Sequence, residues 1–175
     1  MGKEFLPLID RNQIITAAFL NMHVAWETFL ESALAEFMIG TPTISGRAPV
    51  RFVSPRTVDD AQKILIGANR YFDFANPDNV RKIVKIYFEN GYPFEPHLSS
   101  IASDLADLRT MRNGAAHIST TTQTAINSLA QRLTVRASPG IELWDLLTTP
   151  IPDGQTVFER YKNALLLASE LIAQG

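Results

Sequence analysis

Residues 10–39 read DRNQIITAAFLNMHVAWETFLESALAEFMI, and this stretch decides the fold class. Its apolar side chains recur at steps of three and four residues, which is the periodicity of an amphipathic helix. The repeating positions are Ile15, Ala18, Met22, Trp26, Phe29, Ala33 and Phe37, with Phe19, Leu30 and Leu34 widening the stripe. Gly40 and Pro42 follow, as is common where helices end. A helix of about 30 residues is roughly 45 Å long, and such a helix belongs in a bundle.

The sequence pattern of the remaining residues predicts further helices and one loop. Helical spacing, together with prolines and glycines at the ends, predicts helices over about 57–67, 76–90, 96–112, 122–135, 141–147 and 155–173. Val50–Val53 is a weak strand candidate. We therefore expect an all-α fold, an up-and-down helical bundle of four to five main helices. Residues 1–175 are expected to form a single domain, with residues 138–175 as a C-terminal helical extension packed on the bundle.

Composition limits the possible functions. The 175 residues contain 16 basic and 18 acidic side chains, for a net charge of −2, and no cysteine, which excludes disulfides, thiolate catalysis and metal sites built on sulfur. The chain has no apolar run of the ~18 residues that a membrane span needs and no signal-peptide core at its start, so we expect a cytoplasmic protein without a membrane partner. Only 19% of residues are charged, which suggests an apolar surface covered by a partner.

A basic region follows the first helix. Residues 41–56 form a loop rich in proline, and between residues 41 and 72 five basic side chains outnumber two acidic ones, a local net charge of +3. The basic residues are Arg47, Arg51, Arg56, Lys63 and Arg70, and the acidic ones are Asp59 and Asp60. Two interpretations stay open, a solvated loop and a surface for RNA phosphates.

The most informative motif lies in residues 105–119, LADLRTMRNGAAHIS, where Arg112 is followed by Asn113 and, five positions on, by His117. The pattern resembles the Arg-x4-His motif of the HEPN superfamily in its form Arg-Asn-x-x-Ala-His. The acidic centre of the first helix, Trp26–Glu31, and the segment Tyr71–Phe88 are also similar to that superfamily. The resemblance covers roughly residues 14–135, and the closest subtype is the RiboL-PSP group.

The resemblance implies a metal-independent endoribonuclease, in a setting of prokaryotic antiviral defence, abortive infection or toxin–antitoxin control. It implies no cofactor and no metal. The partners it implies are RNA, a second copy of the chain in a homodimer whose two motifs face one cleft, and an antitoxin or other regulatory protein. The alternative is a catalytically inactive HEPN module that binds RNA, a nucleotide or a partner protein.

The chemistry of the motif fits RNA cleavage. A neutral His117 can take the proton of a 2′-hydroxyl at cellular pH, and Arg112 can pair with the phosphate and neutralise its developing charge. Asn113 can orient His117 or bond the phosphate. Glu27, in the middle of the first helix, is expected near the active cleft, and Arg109 is expected to make a second phosphate contact.

Helical geometry constrains this site. Residues five apart lie about 140° apart around a helix axis, so Arg112 and His117 do not share a face, whereas Asn113 and His117 do. Gly114 weakens the helix at this point. We therefore expect the two side chains to converge through a kink, or through a helix end and a second subunit.

Structural interpretations of the same residues stay open. His117 could be an ordinary histidine at a helix end, Arg112 could bridge to Asp107, Asn113 could precede glycine as a helix terminus, and Glu27 could be a solvated charge. A third possibility is a hydrolase with a metal held by distant ligands, although no two histidines stand at the i, i+4 spacing of the common zinc motif. His23, one turn before Glu27, is expected to be structural.

Overall fold

A computed structural model of the chain describes residues 7–67, 71–117, 119–134 and 139–175. These residues form α-helices joined by turns and loops, with two isolated bridges and no strand, which confirms the all-α prediction. The helices are α1 (Leu8–Ile39), α2 (Val58–Ile66), α3 (Pro77–Tyr87), α4 (Phe94–Ser100), α5 (Ala102–Ala116), α6 (Thr120–Thr134), α7 (Leu143–Thr148) and α8 (Val157–Gln174). Four of them, α1, α5, α6 and α8, have 15 residues or more.

Helix ends follow the local signals in the sequence. Asn76 caps α3 by accepting a hydrogen bond from the backbone N–H of Asp78 (3.1 Å), and Pro77 stands at the first helical position, as predicted. Thr57 caps α2 by accepting from the N–H of Asp60 (3.1 Å). Caps of this kind each contribute about 1 kcal/mol.

Two predictions about elements are wrong. The single helix expected over residues 96–112 is two helices, since α4 ends at Ser100 and α5 begins at Ala102 around a non-helical Ile101 (φ −110°, ψ 21°). The weak strand candidate Val50–Val53 forms one isolated bridge, between Arg51 and Phe88, and is not part of a strand.

The buried stripe of α1 agrees with the predicted one at Phe19, Trp26, Leu30, Leu34 and Phe37 and differs from it elsewhere. The side chains that are almost wholly buried are Phe19, His23, Trp26, Leu30, Leu34, Ala35, Phe37 and Met38. Ala18 is exposed, and Ile15, Met22, Phe29 and Ala33 are half-buried. The predicted and the observed buried positions both have helical spacing. Because α1 is apolar on most sides, its sequence does not distinguish between them.

The described chain divides into two compact units. The first consists of Met1–Val24 and Asp107–Asn163, and the second of Ala25–Ala106 and Ala164–Gly175. The predicted boundary at residue 138 lies outside the described residues, as does the predicted end of a helix at Val135.

The first unit has a core with one polar cluster. Its buried apolar side chains include Phe19, Leu108, Met111, Ile126, Leu129, Leu133, Leu146, Leu147, Ile151 and Val157. Within this core, the carboxylate of Asp107 accepts a hydrogen bond from the hydroxyl of Tyr161 (2.8 Å) and another from the guanidinium of Arg132. A buried carboxylate is costly without partners, so these two bonds make its burial possible.

The second unit is built around aromatic rings. Phe94 lies 5.7 Å from Phe37 and 5.8 Å from Phe88 between ring centroids, and all three are buried. At the end of α1, the guanidinium of Arg51 donates to the carbonyl of Met38 (2.6 Å). Gly40 adopts φ +100°, a backbone conformation that favours glycine, and a Cβ there would lie 2.8 Å from the Arg51 guanidinium.

None of the helices in the described ranges combines the length and the apolar character needed to cross a bilayer.

Candidate functional site

The last turns of α5 carry the motif on a solvent-facing side. At 100° per residue, Arg109, Arg112 and Ala116 fall on one side of the helix, and all three are exposed. Gly114 lies on the opposite side, and both Gly114 and Ala115 line a cavity of the first unit. The helix stays continuous through Gly114 to Ala116, so the predicted kink is absent and the motif forms the helix end.

The two arginines have few intramolecular contacts. Nη1 of Arg112 lies 3.5 Å from Oδ1 of Asn113, which is the outer limit of a hydrogen bond. Arg109 forms no ion pair with any residue that the structure describes. Arg112 does not pair with Asp107, whose carboxylate is taken by Arg132 and Tyr161. Both guanidinium groups therefore remain available to a phosphate.

His117 follows directly on the last residue of α5, and its backbone is fixed at both ends. Its N–H donates to the carbonyl of Asn113 (3.0 Å), which continues the helical turn, and its carbonyl accepts from the hydroxyl of Thr122 (2.7 Å). The same Thr122 hydroxyl accepts from the N–H of Ser119 (2.9 Å), and the Ser119 hydroxyl accepts from the N–H of Thr122 (3.2 Å), which caps the start of α6. The imidazole itself is exposed and has no hydrogen-bond partner among the described residues.

The geometry does not bring Arg112 and His117 together within one chain. The bond from His117 to Asn113 keeps the helical progression, so the two side chains leave the axis roughly 140° apart. Asn113 and His117 lie on the same side, and Asn113 is half-buried. On this helical progression Arg112 and His117 point to different sides of α5.

The other predicted site residues lie on α1. Glu27 is half-buried and belongs to the second unit, and its place near an active cleft stays a prediction. His23 belongs to the first unit and is only 4% exposed, as expected for a structural histidine.

The basic region after α1 is largely occupied by contacts within the chain. The guanidinium of Arg47 lies 4.3 Å from the centroid of the Tyr92 ring, Arg51 bonds to the end of α1, and Lys63 pairs with Asp59 at 2.5 Å. Arg56 is exposed, and Arg70 lies outside the described residues. These contacts favour a structural loop over a surface for RNA phosphates.

Sequence reasoning missed the cavity beside the motif. It has a volume of about 650 Å³ and takes residues from α1, α5, α6 and the segment 140–144. These segments are far apart in the chain, so spacing could not reveal it. One signal was present, because Gly114 inside a helix indicates a close approach, and Ile126 of α6 lies 3.0 Å from the position its Cβ would take.

Comparison of the chain with protein-family models, with characterised proteins and with solved structures finds no match. Within residues 7–67, 71–117, 119–134 and 139–175, no three histidine or carboxylate side chains group as metal ligands.

Proposed function

We propose that this chain is a metal-independent endoribonuclease of HEPN type, with Arg112 and His117 as its catalytic residues. The observation that carries the proposal is the end of α5, where Arg109, Arg112 and His117 are exposed and form no ion pair with the described residues. An accessible helix end with two guanidinium groups and one imidazole has the groups that can bind a phosphate and remove the proton of a 2′-hydroxyl. A cytoplasmic role in prokaryotic defence, restrained by an antitoxin or similar partner, belongs to the same proposal.

The reaction is an internal transesterification. The imidazole of His117 removes the proton of a 2′-hydroxyl, and the 2′ oxygen attacks the adjacent phosphorus. Arg112 neutralises the charge that develops on the phosphoryl oxygens, with Arg109 as a second phosphate contact. The bond from phosphorus to the 5′ oxygen breaks, the 5′ oxygen takes up a proton from solvent, and the products are a 2′,3′-cyclic phosphate and a 5′-hydroxyl. DNA lacks the attacking hydroxyl and is not cleaved.

The divergence of Arg112 and His117 leads to a composite site. Since the two side chains leave α5 about 140° apart, we propose that Arg112 of one copy and His117 of a second copy share each RNA linkage. An up-and-down bundle that dimerises through the end of α5 would place two such sites in one cleft.

The decisive test is cleavage of total RNA by the purified chain in EDTA, followed by analysis of the new ends. We expect cyclic-phosphate and 5′-hydroxyl ends from the wild type, and a loss of at least 100-fold in rate from Arg112→Ala and from His117→Ala. Arg56→Ala is the matched control, since Arg56 is an exposed arginine distant in sequence from the motif, and it should cleave as wild type does. Equal rates in all four proteins contradict the proposal.

The second candidate is a catalytically inactive HEPN module that binds RNA, a nucleotide or a partner protein. One observation favours it. A general base is commonly oriented by a third group, but the His117 imidazole has no such partner within the described part of the chain, and the amide oxygen of Asn113 lies toward Arg112. In this case the wild type releases no cyclic-phosphate ends, and binding that weakens steeply with added salt identifies RNA as the ligand.

A further inference from the structure

The cavity of the first unit has the size of a small-molecule site. Its volume of about 650 Å³ lies in the usual range for ligand pockets, 300–1,000 Å³. It is bounded by the first half of α1, the end of α5, the first half of α6 and residues 140–144. All of these segments belong to the first unit, so the cavity is formed within one compact body.

An indole ring stands in the wall of this cavity and is held in place. The Nε1–H of Trp144 donates to the carboxylate of Glu142 (2.5 Å). When the amide nitrogen of Asn12 donates to the carbonyl of Leu8 (2.8 Å), its oxygen lies 3.0 Å from the same indole nitrogen. The ring is half-buried beside apolar lining residues that include Leu20 and Leu143. A fixed aromatic wall of this kind favours a flat ligand that can stack.

Polar groups reach the cavity from two helices. Gln123 on α6 uses both hydrogens of its amide nitrogen, toward Oδ1 of Asn127 (3.0 Å) and the carbonyl of Ile141 (2.9 Å), which leaves Oε1 as an acceptor. On α1, Gln13 and Thr16 line the cavity one turn apart, and their side chains form no hydrogen bond with described residues. The cavity thus offers both donors and acceptors above an apolar surface.

The charge of the lining argues against a phosphate inside. Glu142 is the one charged residue among the described lining residues, which include no lysine and no arginine. Arg11 lies outside the lining, with its guanidinium over the Trp144 ring at 5.6 Å from the centroid. A carboxylate accepts well from the amino group of a base, so the lining favours an uncharged heterocycle with N–H donors.

We propose that this cavity binds a single unstacked nucleobase. Trp144 provides the stacking surface, Glu142 accepts from the exocyclic amine, and Gln13, Thr16 and Gln123 bond the edge of the ring. Aromatic stacking with amide contacts to a base edge is how proteins commonly hold single bases. The base comes from a free nucleoside or from single-stranded RNA, and the site does not depend on cleavage.

The test compares two neighbouring alanines of α1. Ala17 lines the cavity and is exposed, so Ala17→Leu fills the space at little cost to folding, whereas the exposed Ala18 does not line it, so Ala18→Leu is the matched control. Calorimetric titration of the full chain with adenosine, guanosine, cytidine and uridine measures Kd. We expect saturable binding of the three nucleosides with an exocyclic amine, weakened at least tenfold by Ala17→Leu and less than twofold by Ala18→Leu. Circular dichroism shows whether both variants are folded.

A tetranucleotide RNA distinguishes the two sources of the base. Binding at least tenfold tighter than that of the nucleoside assigns the site to single-stranded RNA, and equal binding assigns it to a free nucleoside. Arg112→Ala and His117→Ala should bind nucleosides as wild type does, so the base site and the nuclease proposal can fail separately. Absence of saturable binding by all five probes, or equal binding by Ala17→Leu and wild type, overturns the base site.

Discussion

The carboxylate of Glu95 has three polar partners in the second unit. It accepts from Arg81 (2.8 Å), pairs with Lys85 (2.9 Å) and accepts from the hydroxyl of Ser99 (2.9 Å), while only 15% of its side chain is exposed. The hydrogen bond from Arg81 is the largest cause that lowers the pKa of Glu95, to about 2. A folded-state pKa below the unfolded value contributes stability that is present above the unfolded pKa and lost as pH falls toward the folded pKa.

Glu95→Gln should therefore destabilise the second unit at pH 7 and have a smaller effect in acid. A lowering of the pKa of Glu95 from 4.5 to about 2 corresponds to a contribution of at most roughly 3 kcal/mol to the free energy of unfolding. We expect Glu95→Gln to lower that free energy by about 2 kcal/mol at pH 7. The difference in the free energy of unfolding between Glu95→Gln and the wild type should become smaller between pH 4.5 and pH 2. Urea unfolding at pH 7 and at pH 3 measures this, with the exposed Glu89→Gln as control. An unchanged difference at both pH values would contradict the role of Glu95.

At the scale of elements, α5 and α6 approach each other closely at the motif. A Cβ on Gly114 would lie 3.0 Å from the side chain of Ile126, which is itself only 4% exposed. Glycine inside a helix lowers the stability of the helix by about 1 kcal/mol relative to alanine. At this position it allows α5 and α6 to pack closely. The motif glycine is thus explained by packing between helices and not by a kink.

Gly114→Ala tests this packing through a double-mutant cycle with Ile126→Val. The single variant gains helix propensity but crowds Ile126, so we expect no net stabilisation. In the Ile126→Val background the crowding is relieved, and Gly114→Ala should stabilise by about 0.5–1 kcal/mol. Thermal unfolding of the four proteins gives the coupling free energy. Additive effects would show that the two side chains do not press on each other.

The junction between α5 and α6 depends on the hydroxyls of Ser119 and Thr122, and Thr122 bonds the last turn of α5. Thr122→Val removes the bonds from Thr122 to the carbonyl of His117 and from the N–H of Ser119. We expect a loss of about 1 kcal/mol in the free energy of unfolding, and a fall in RNA cleavage because His117 loses its fixed backbone. Thr121→Val is the control, since Thr121 is exposed and forms no bond with described residues. Equal behaviour of the two variants would mean that the cap is not needed.

At the scale of the whole molecule, the proposed composite site predicts a dimer. Several large apolar side chains at the start of α1 are more than half exposed, at Leu8, Ile9 and Ile14, which is the kind of surface that a partner covers. Arg112 and His117 diverge on one chain. We expect sedimentation of a dimer at micromolar concentration, and a monomer would argue against the composite site.

Mixing two inactive variants tests the composite site directly. Suppose that each site takes Arg112 from one copy and His117 from the other. A dimer of one Arg112→Ala copy and one His117→Ala copy then has one intact site, formed by the remaining Arg112 and the remaining His117. Random exchange of subunits makes half of the dimers mixed, so about a quarter of wild-type cleavage should return. Cleavage is measured after equal amounts of the two variants are incubated together. No recovery, with subunit exchange shown independently, would place both residues of a site on one copy.

The prediction of elements succeeded where the signals were local. The Asn76-Pro77 cap and the end of α1 at Ile39 follow from residues next to each other in sequence. The division at Ile101 and the burial of Met38 rather than Ala18 on α1 did not follow, because both depend on which side chains of other helices fill the space beside them. The exposure of Arg109 and Arg112 is consistent with the predicted site, but their catalytic roles stay predictions.

The sequence by itself determined the helical class, the caps and the grouping of Arg112, Asn113 and His117 at a helix end, because periodicity, proline, glycine and short spacing act over one or two turns. Only the tertiary structure decided the partners of Arg51 and Asp107, the absence of a kink at Gly114 and the cavity beside Trp144. These depend on contacts between residues far apart in the chain, and such contacts form only when packing brings their side chains within a few ångströms.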